Sequence, residues 1–340
     1  MAGKKIRVGI NGYGRIGRCV HRVALGTDDI EVVAVNSRGD VEARAHLLKY
    51  DSLYGKLNHD VEIKSKDCFL VNGNEIANLQ VRPKDEIKVW DEYGVDIVLE
   101  STGVFRTRES MAWHLAAGAK KVILSAPPKD DETPVFVMGV NHADYAGQEI
   151  ISNASCTTNC LAPIAKVLHD SFGIRAAHMT TVHAVTGDQN ILDNTHKDLR
   201  RSRSFMPSII PCKTGASKAI GQVLPEIGDR FTGQALRVPT PVGSIVDLAA
   251  QLEQDVSIKD VHAALEHAKA GAMAGLIDLS YEELVSVDYV GNTHSAIIDT
   301  DSTKMLPGGF LKLLAWYDNE WGYSNRVVDM IRHISSSEQS

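Results

Sequence analysis

The stretch IRVGINGYGRIG, residues 6–17, constrains the fold more than any other segment. Its glycines at 12, 14 and 17 form G-x-G-x-x-G directly after a short apolar run that reads as a buried strand. Apolar residues then recur at helical spacing through Ile16, Val20, Val23 and Ala24. A second β-rich run, IEVVAVN, follows at 30–36. Strand, glycine turn, helix and strand within roughly thirty residues is the size of one βαβ unit. In that setting the three glycines allow, in turn, a tight turn, a close approach of backbone to a pyrophosphate, and close helix–strand packing. The helix N-terminus adds free amides and the positive end of its dipole. The spacing therefore predicts dinucleotide binding at Gly12, Gly14 and Gly17.

The runs VDIVLES, KKVILSA and TPVFVMGVN continue the alternation, with a helix expected around Ser110 to Ala117. Such alternation predicts a parallel sheet covered by helices. Beyond ISNASCTTNC (151–160) the pattern changes. AAHMTTVHAV, QALRVPTP, SIVDLAAQLE, ELVSVDYVG, SAIIDTD and FLKLLAWYDN read as longer, more alternating strands, with few helices between them. One of those helices opens on a Ser257–Asp260 capping pair. A chain of 340 residues exceeds the usual single core. The predicted architecture is α/β, with a Rossmann-type dinucleotide-binding domain over residues 1–155. An α+β catalytic and oligomerisation domain with a mostly antiparallel or mixed sheet spans 156–321. The amphipathic segment 322–340 is expected to pack back on the first domain and to end in a frayed SSSEQS tail.

A net charge of −7 without a long Lys/Arg tract argues against nucleic acid as a partner. No apolar run approaches the roughly 20 residues of a membrane-spanning helix, so no membrane partner is expected. The opening MAGKKIRVGINGYGRIG has no apolar core before its glycines. Five cysteines without a CxxC pair argue for a reducing, cytoplasmic setting.

Why, then, do Cys156 and Cys160 stand four residues apart amid Ser, Thr and Asn? A metal would need more ligands than these two and His183 supply, and no metal is expected. Packing suits Cys160, Cys19 and Cys68, because a buried free cysteine behaves as a small hydrophobe. It suits Cys156 poorly, since that residue is flanked by polar side chains ahead of the helix-like LAPIAKVLHDSF. A thiol at a helix N-terminus has its thiolate favoured by the dipole. Pro163 is expected to start or kink that helix. His183, at the end of a predicted strand in TTVHAVTGDQ, is the candidate base, and its imidazolium would favour the thiolate further. Thiol, imidazole and a nicotinamide site together point to thiolate addition to an aldehyde, loss of hydride, and a thioester awaiting an acceptor.

ASCTTNC with His183, INGYGRIGR, RVPTP and WYDNEWGYS together resemble phosphorylating glyceraldehyde-3-phosphate dehydrogenase, in order and along essentially the whole chain. The resemblance implies Cys156 as nucleophile and His183 as the base that activates it and polarises the carbonyl. It implies Thr186, Asp188 and Arg237 at the substrate's phosphate, and Ser155, Thr157, Arg201, Thr214 and Gly215 at inorganic phosphate. Cofactor contacts are implied for Gly12, Arg15, Ile16, Thr102, Gly103, Ser125 and Asn319, the last on the carboxamide. Glyceraldehyde 3-phosphate and inorganic phosphate would be the partners, and the chain a homotetramer. The guanidiniums of Arg201 and Arg237, with threonine hydroxyls, are also the natural donors for two anions held near one thiolate. A solvated basic turn is the competing reading of DLRRSR, above all for Arg200 and Arg203.

Two departures bear on the cofactor. An acidic residue normally holds the adenosine ribose about twenty residues beyond the glycines. Here the second strand ends Asn36-Ser37-Arg38, and a hydroxyl beside a guanidinium suits a 2′-phosphate better than a bare ribose. Arg38 could equally be a solvated surface residue. Asn194 and Thr195 also replace the Leu-Pro usual in NAD-using relatives, so NAD or NADP, dual or NADP-leaning, is expected. Phe205 and Met206 stand where small residues are common in the family, and Cys212 stands near the phosphate threonine. Rival readings are erythrose-4-phosphate dehydrogenase, an acylating semialdehyde reductase and a nucleotide-sensing regulator. Thr186 and Asp188 favour the triose. Intact Cys156, His183, Arg201 and Arg237 argue against a silent sensor.

Overall fold

A computed structural model describes residues 5–83 and 89–338, apart from the Ser217 side chain. By backbone contacts the chain divides into two units: 1–136, 142–154 and 324–340 in one, 137–141 and 155–323 in the other.

The first unit begins with β1 (Ile6–Asn11), α1 (Arg15–Ala24), β2 (Ile30–Asn36) and α2 (Val41–Lys49). A small hairpin follows, β3 (Tyr50–Asp51) and β4 (Gly55–Lys56), and then β5 (Val61–Ser65), β6 (Cys68–Val71) and β7 (Asn74–Leu79). Completing it in chain order are α3 (Val89–Glu92), β8 (Ile97–Glu100), α4 (Arg108–Ala116), β9 (Lys121–Leu124) and β10 (Ile150–Ser152). The main sheet runs β10-β9-β8-β1-β2-β7-β6-β5. Its pairs from β10 to β7 are parallel, whereas β7-β6-β5 form an antiparallel meander. All four residues of β8 are buried, as expected of a strand covered on both faces. α4 starts where Thr107 and Ser110 form a capping box.

The second unit holds α5 (Cys156–Phe172), β11 (Ile174–His183), β12 (Ile210–Cys212), α6 (Ala216–Val223) and β13 (Phe231–Arg237). It continues with β14 (Ser244–Leu252), α7 (Ile258–Ala270), β15 (Ile277–Ser280), β16 (Ala296–Leu306) and β17 (Phe310–Tyr317). The mixed sheet runs β12-β13-β11-β14-β17-β16-β15, with β11–β13 and β15–β16 parallel and the other pairs antiparallel. Burial alternates residue by residue along β14, the mark of a sheet with one core face, and α5 packs across it. α8 (Trp321–Ser337) closes the chain. From Ser324 onward α8 counts with the first unit, where Arg332 bonds Asp29 at 2.7 and 2.9 Å. SSSEQS is helical through Ser337, and its last two residues lie outside the described ones.

Three local expectations change. TPVFVMGVN forms no strand: it makes one isolated bridge, Val135 to Ser152, and then turns where the Asn141 side chain accepts from Val137 N at 2.8 Å. ELVSVDYVG holds a 3₁₀ turn at Ser286–Tyr289, because Asp288 captures the Val285 N–H at 2.8 Å and Val285 and Val287 face solvent. Pro163, expected to start or kink its helix, does not start it. α5 begins seven residues earlier, and Pro163 sits buried within it.

Candidate active site

In the first unit β1 delivers Gly12 to the N-terminus of α1. Gly12 has φ +95°, and a Cβ there would lie 2.6 Å from the backbone of Ser101 and Thr102. A Cβ on Gly17 would lie 2.4 Å from the Gly12 carbonyl oxygen, so close helix–strand packing requires glycine. Gly14 caps α1 without a side-chain bond, and a Cβ there would meet nothing within 4 Å. It opens on a cavity of about 810 Å³ that Gly12, Asn36, Ser37, Arg38 and Thr102 also line. An open glycine at an uncapped helix N-terminus fits a pyrophosphate.

Arg15, Ile16 and Gly17 lie in the first turn of α1 and are not among the lining residues. Arg15 pairs with Asp51 at 2.6 Å. Gly103, at φ +71°, and Ser125, whose hydroxyl donates to Glu100 O at 3.1 Å, also stand outside the lining. Among the described residues the lining includes Arg38 and Arg82 and no carboxylate.

Beneath the cavity runs a buried polar network. Asn36 donates to Asn11 Oδ1 at 2.8 Å, and Asn11 donates to Glu100 at 2.5 Å. Glu100 also accepts from the Thr102 amide and hydroxyl, at 2.8 and 2.5 Å, and bonds His114 at 3.0 Å. Trp90 donates to the other nitrogen of His114, which leaves Nε2–H directed at Glu100. Glu100 therefore anchors the Thr102 turn and was missed from sequence, although a carboxylate ending the apolar run VDIVLES was a readable signal.

In the second unit Cys156 is the first residue of α5, whose cap Ser155 accepts from Thr158 N at 3.1 Å. Its Sγ lies 3.3 Å from His183 Nε2. Parallel register places His183, at the end of β11, opposite Arg237, at the end of β13. One Arg237 nitrogen then lies 2.5 Å from His183 Nδ1 and 2.8 Å from Ala184 O, while Nδ1 is 2.7 Å from the same carbonyl. A proton on Nδ1 donates to Ala184 and leaves the Nε2 lone pair facing the thiol. A lone pair on Nδ1 accepts from Arg237 and leaves Nε2–H facing sulfur. Below them the buried Tyr317 hydroxyl links Thr157 Oγ1 at 3.0 Å to Thr181 Oγ1 at 2.8 Å, with its ring edge-on to His183. Tyr317 lay in a quoted motif, but only packing reveals its role.

The electrostatics depart from the expected thiolate–imidazolium pair. Burial, then the Arg237 charge, pushes His183 down to about 3. Burial pushes the Cys156 thiol up, against the Arg237 charge and hydrogen bonds at Thr157. Both shifts favour the neutral forms, because burial acts against each charge more strongly than the Arg237 cation and the hydrogen bonds at Thr157 favour the thiolate. Cys160, one turn on, is fully buried.

The remaining candidate residues fall into smaller groups. Asp188 pairs with Arg201 and lies 3.3 Å from His196 Nε2. Burial works to raise the Asp188 carboxyl, yet the Arg201 and His196 bonds hold it below its usual range. Thr186 donates through N and Oγ1 to Gln189, and Thr214 Oγ1 accepts from Ala216 N beside the α6 cap Gly215. Arg201 and Arg237 lie close enough for their charges to interact. Asn319 accepts from Gly243 N at 3.2 Å and Ser244 Oγ at 2.9 Å within the second unit. Gln189, His196 and Ser244 carried no motif of their own and were not anticipated.

Two family models match: the NAD binding domain of glyceraldehyde 3-phosphate dehydrogenase over residues 6–108, and its C-terminal domain over 155–319. The chain is 54% identical over 333 residues to glyceraldehyde-3-phosphate dehydrogenase of Geobacillus stearothermophilus, covering 97% of this chain and 98% of that protein. It is 51% identical over 332 residues to glyceraldehyde-3-phosphate dehydrogenase 1 of Bacillus subtilis (strain 168), with 97% and 98% covered. It is 49% identical over 331 residues to the Salmonella typhimurium glyceraldehyde-3-phosphate dehydrogenase, with 97% and 99% covered.

Proposed function

The chain belongs to the glyceraldehyde-3-phosphate dehydrogenase family, and on that premise we propose how its own residues carry the reaction. It is an NAD(P)-dependent oxidoreductase acting on glyceraldehyde 3-phosphate. The observation that supports the assignment of roles is the 3.3 Å contact between Cys156 Sγ and His183 Nε2 at the start of α5, with Arg237 against the same imidazole.

Cys156 adds through sulfur to the aldehyde carbon, and His183 takes the thiol proton at Nε2 and returns it to the carbonyl oxygen. The product is a thiohemiacetal. A nicotinamide dinucleotide held at the glycine turn would supply the acceptor for the hydride lost from that carbon. His183 removes the hydroxyl proton in the same step, leaving a thioester on Cys156. A phosphate oxygen then attacks the acyl carbon, sulfur departs, and the proton on His183 returns to it. The acyl phosphate released is 1,3-bisphosphoglycerate.

Arg237, Thr186 and Asp188 serve the substrate phosphate, with Asp188 acting through Arg201, since a carboxylate itself repels phosphate. Ser155, Thr157, Arg201, Thr214 and Gly215 serve the acceptor phosphate. Gly12, Gly14, Arg15, Ile16, Gly17, Asn36, Ser37, Arg38, Thr102, Gly103 and Ser125 hold the dinucleotide. Asn319, its oxygen already engaged, offers its amide to the carboxamide. The lining around Ser37 and Arg38, without a carboxylate among the described residues, supports useful NADP activity beside NAD. Exposed Ile191, Leu192, Leu199 and Met206 support association of subunits, read here as a homotetramer. Five free cysteines support a cytoplasmic setting. Among the described residues no helix is long and apolar enough to cross a membrane.

Initial rates on triose and tetrose phosphates, with and without phosphate and with each cofactor, test the reading. The expected result is phosphate-dependent reduction of both cofactors, fastest on the triose. Faster turnover of erythrose 4-phosphate, or a free acid as product, would overturn it.

A further inference from the structure

Arg44, on α2, is 4% exposed, yet every acceptor it reaches is neutral. It donates to the Ser37 carbonyl, to Asn78 Oδ1 and, at 3.1 Å, to the Leu79 carbonyl. Its Nε is buried without a partner, and among the described residues it makes no ion pair. Burial lowers its proton affinity, and Asp40 is the carboxylate whose charge acts on it. Asp40 is itself turned to the α2 cap, accepting from Ala43 N at 2.9 Å. A desolvated guanidinium usually has a carboxylate beside it, because burying a lone charge is costly.

The three acceptors lie where β2 and β7 end, and the residues that follow, Ser37–Gly39 and Gln80–Arg82, form two walls of the 810 Å³ cavity. Arg44 therefore ties those walls together from below while leaving its positive charge without an anionic partner among the described residues. Arg38, exposed on the same loop, likewise has no ion pair among them.

We propose that Arg44 is a positioning residue for the cofactor's adenosine ribose, fixing the Ser37–Gly39 loop and supplying a buried charge that selects a 2′-phosphate. The proposal rests on the dual-cofactor reading above. The ester phosphate brings the counter-charge the site lacks, whereas a bare ribose brings none. At an effective dielectric of about 20 a unit charge several ångströms away changes affinity by about tenfold after screening.

Arg44→Met and Arg44→Gln test this. Both remove the charge, and the glutamine keeps a polar end in the buried site. Measured are kcat and KM for NADP and NAD, the Kd of adenosine 2′,5′-bisphosphate and of 5′-AMP, and the melting temperature. In each variant the NADP KM and the bisphosphate Kd should rise about tenfold more than the NAD and 5′-AMP values, which rise together as the loop loses its anchor. Equal losses on both cofactors, or an unchanged NADP/NAD ratio in an enzyme whose unsubstituted form uses NADP, overturn the role of Arg44 alone. Failure of the unsubstituted enzyme to use NADP, or to prefer the bisphosphate over 5′-AMP, removes the dual-cofactor reading and this proposal with it. If the methionine variant does not fold, the glutamine ratio decides.

Discussion

At the residue scale the reaction depends on how burial and one guanidinium divide a proton between sulfur and imidazole. Cys156→Ser should abolish aldehyde oxidation and leave NAD(P) binding intact, as read by turnover and cofactor titration, while Cys160→Ser retains activity. With burial raising Cys156 and Arg237 opposing it, alkylation of the free enzyme should titrate above the ordinary thiol range. Arg237→Leu should move that profile higher still, since it removes the one opposing charge. A midpoint below the ordinary range would instead show a resting thiolate–imidazolium pair. His183→Asn should cost roughly 10²–10⁴ in kcat, the usual loss of an acid–base partner. Single-turnover rates would show whether chemistry is the step that slows.

At the scale of elements, function sits where strands end and helices begin. Ser155→Ala removes the cap of α5 and should lower stability by about 1 kcal/mol, seen as a lower urea midpoint at unchanged slope. The β2–α2 loop carries the cofactor prediction. Ser37→Asp places a carboxylate where a 2′-phosphate would lie, so NADP kcat/KM should fall by more than about tenfold relative to NAD. Equal changes on both cofactors would show that position 37 points away from the ribose.

For the whole molecule the buried histidines set acid sensitivity. His21 and His183 are each pushed by burial to about 3, and His114 is lowered by burial as well. Their folded values lie below the unfolded one, near 6.5. Stability is therefore complete above pH ~6.5 and falls as pH drops toward 3, because the unfolded chain binds protons the folded chain refuses. At pH 4.5 each of His21 and His183 should cost about 3 kcal/mol. The lowered carboxyls Asp29 and Asp51 act in the same direction at lower pH. Urea midpoints from pH 7.5 to 4.5 should drop steadily, and a flat series would show that these imidazoles reach water.

Read on its own, the sequence determined the glycine turn and β1, α1, β2, β8, α4 and β9 around it, and pointed to Cys156 with His183; α2, α3 and the antiparallel β5–β7 meander were not read from it. Those signals are local: G-x-G-x-x-G needs its own backbone geometry, and apolar periodicity reports burial whatever the partner. It overcalled strands at TPVFVMGVN and ELVSVDYVG, because β-branched composition does not reveal a side chain capturing a backbone N–H. Tertiary structure alone decided the rest. Register across β11 and β13 put Arg237 on His183, though 54 residues separate them. Packing brought Glu100 to Asn11, Thr102 and His114, and placed the Tyr317 hydroxyl between two threonines. Burial favours a neutral thiol and imidazole over the expected ion pair. Proton affinity depends on what surrounds a group in space, and that environment is assembled from segments far apart in the chain.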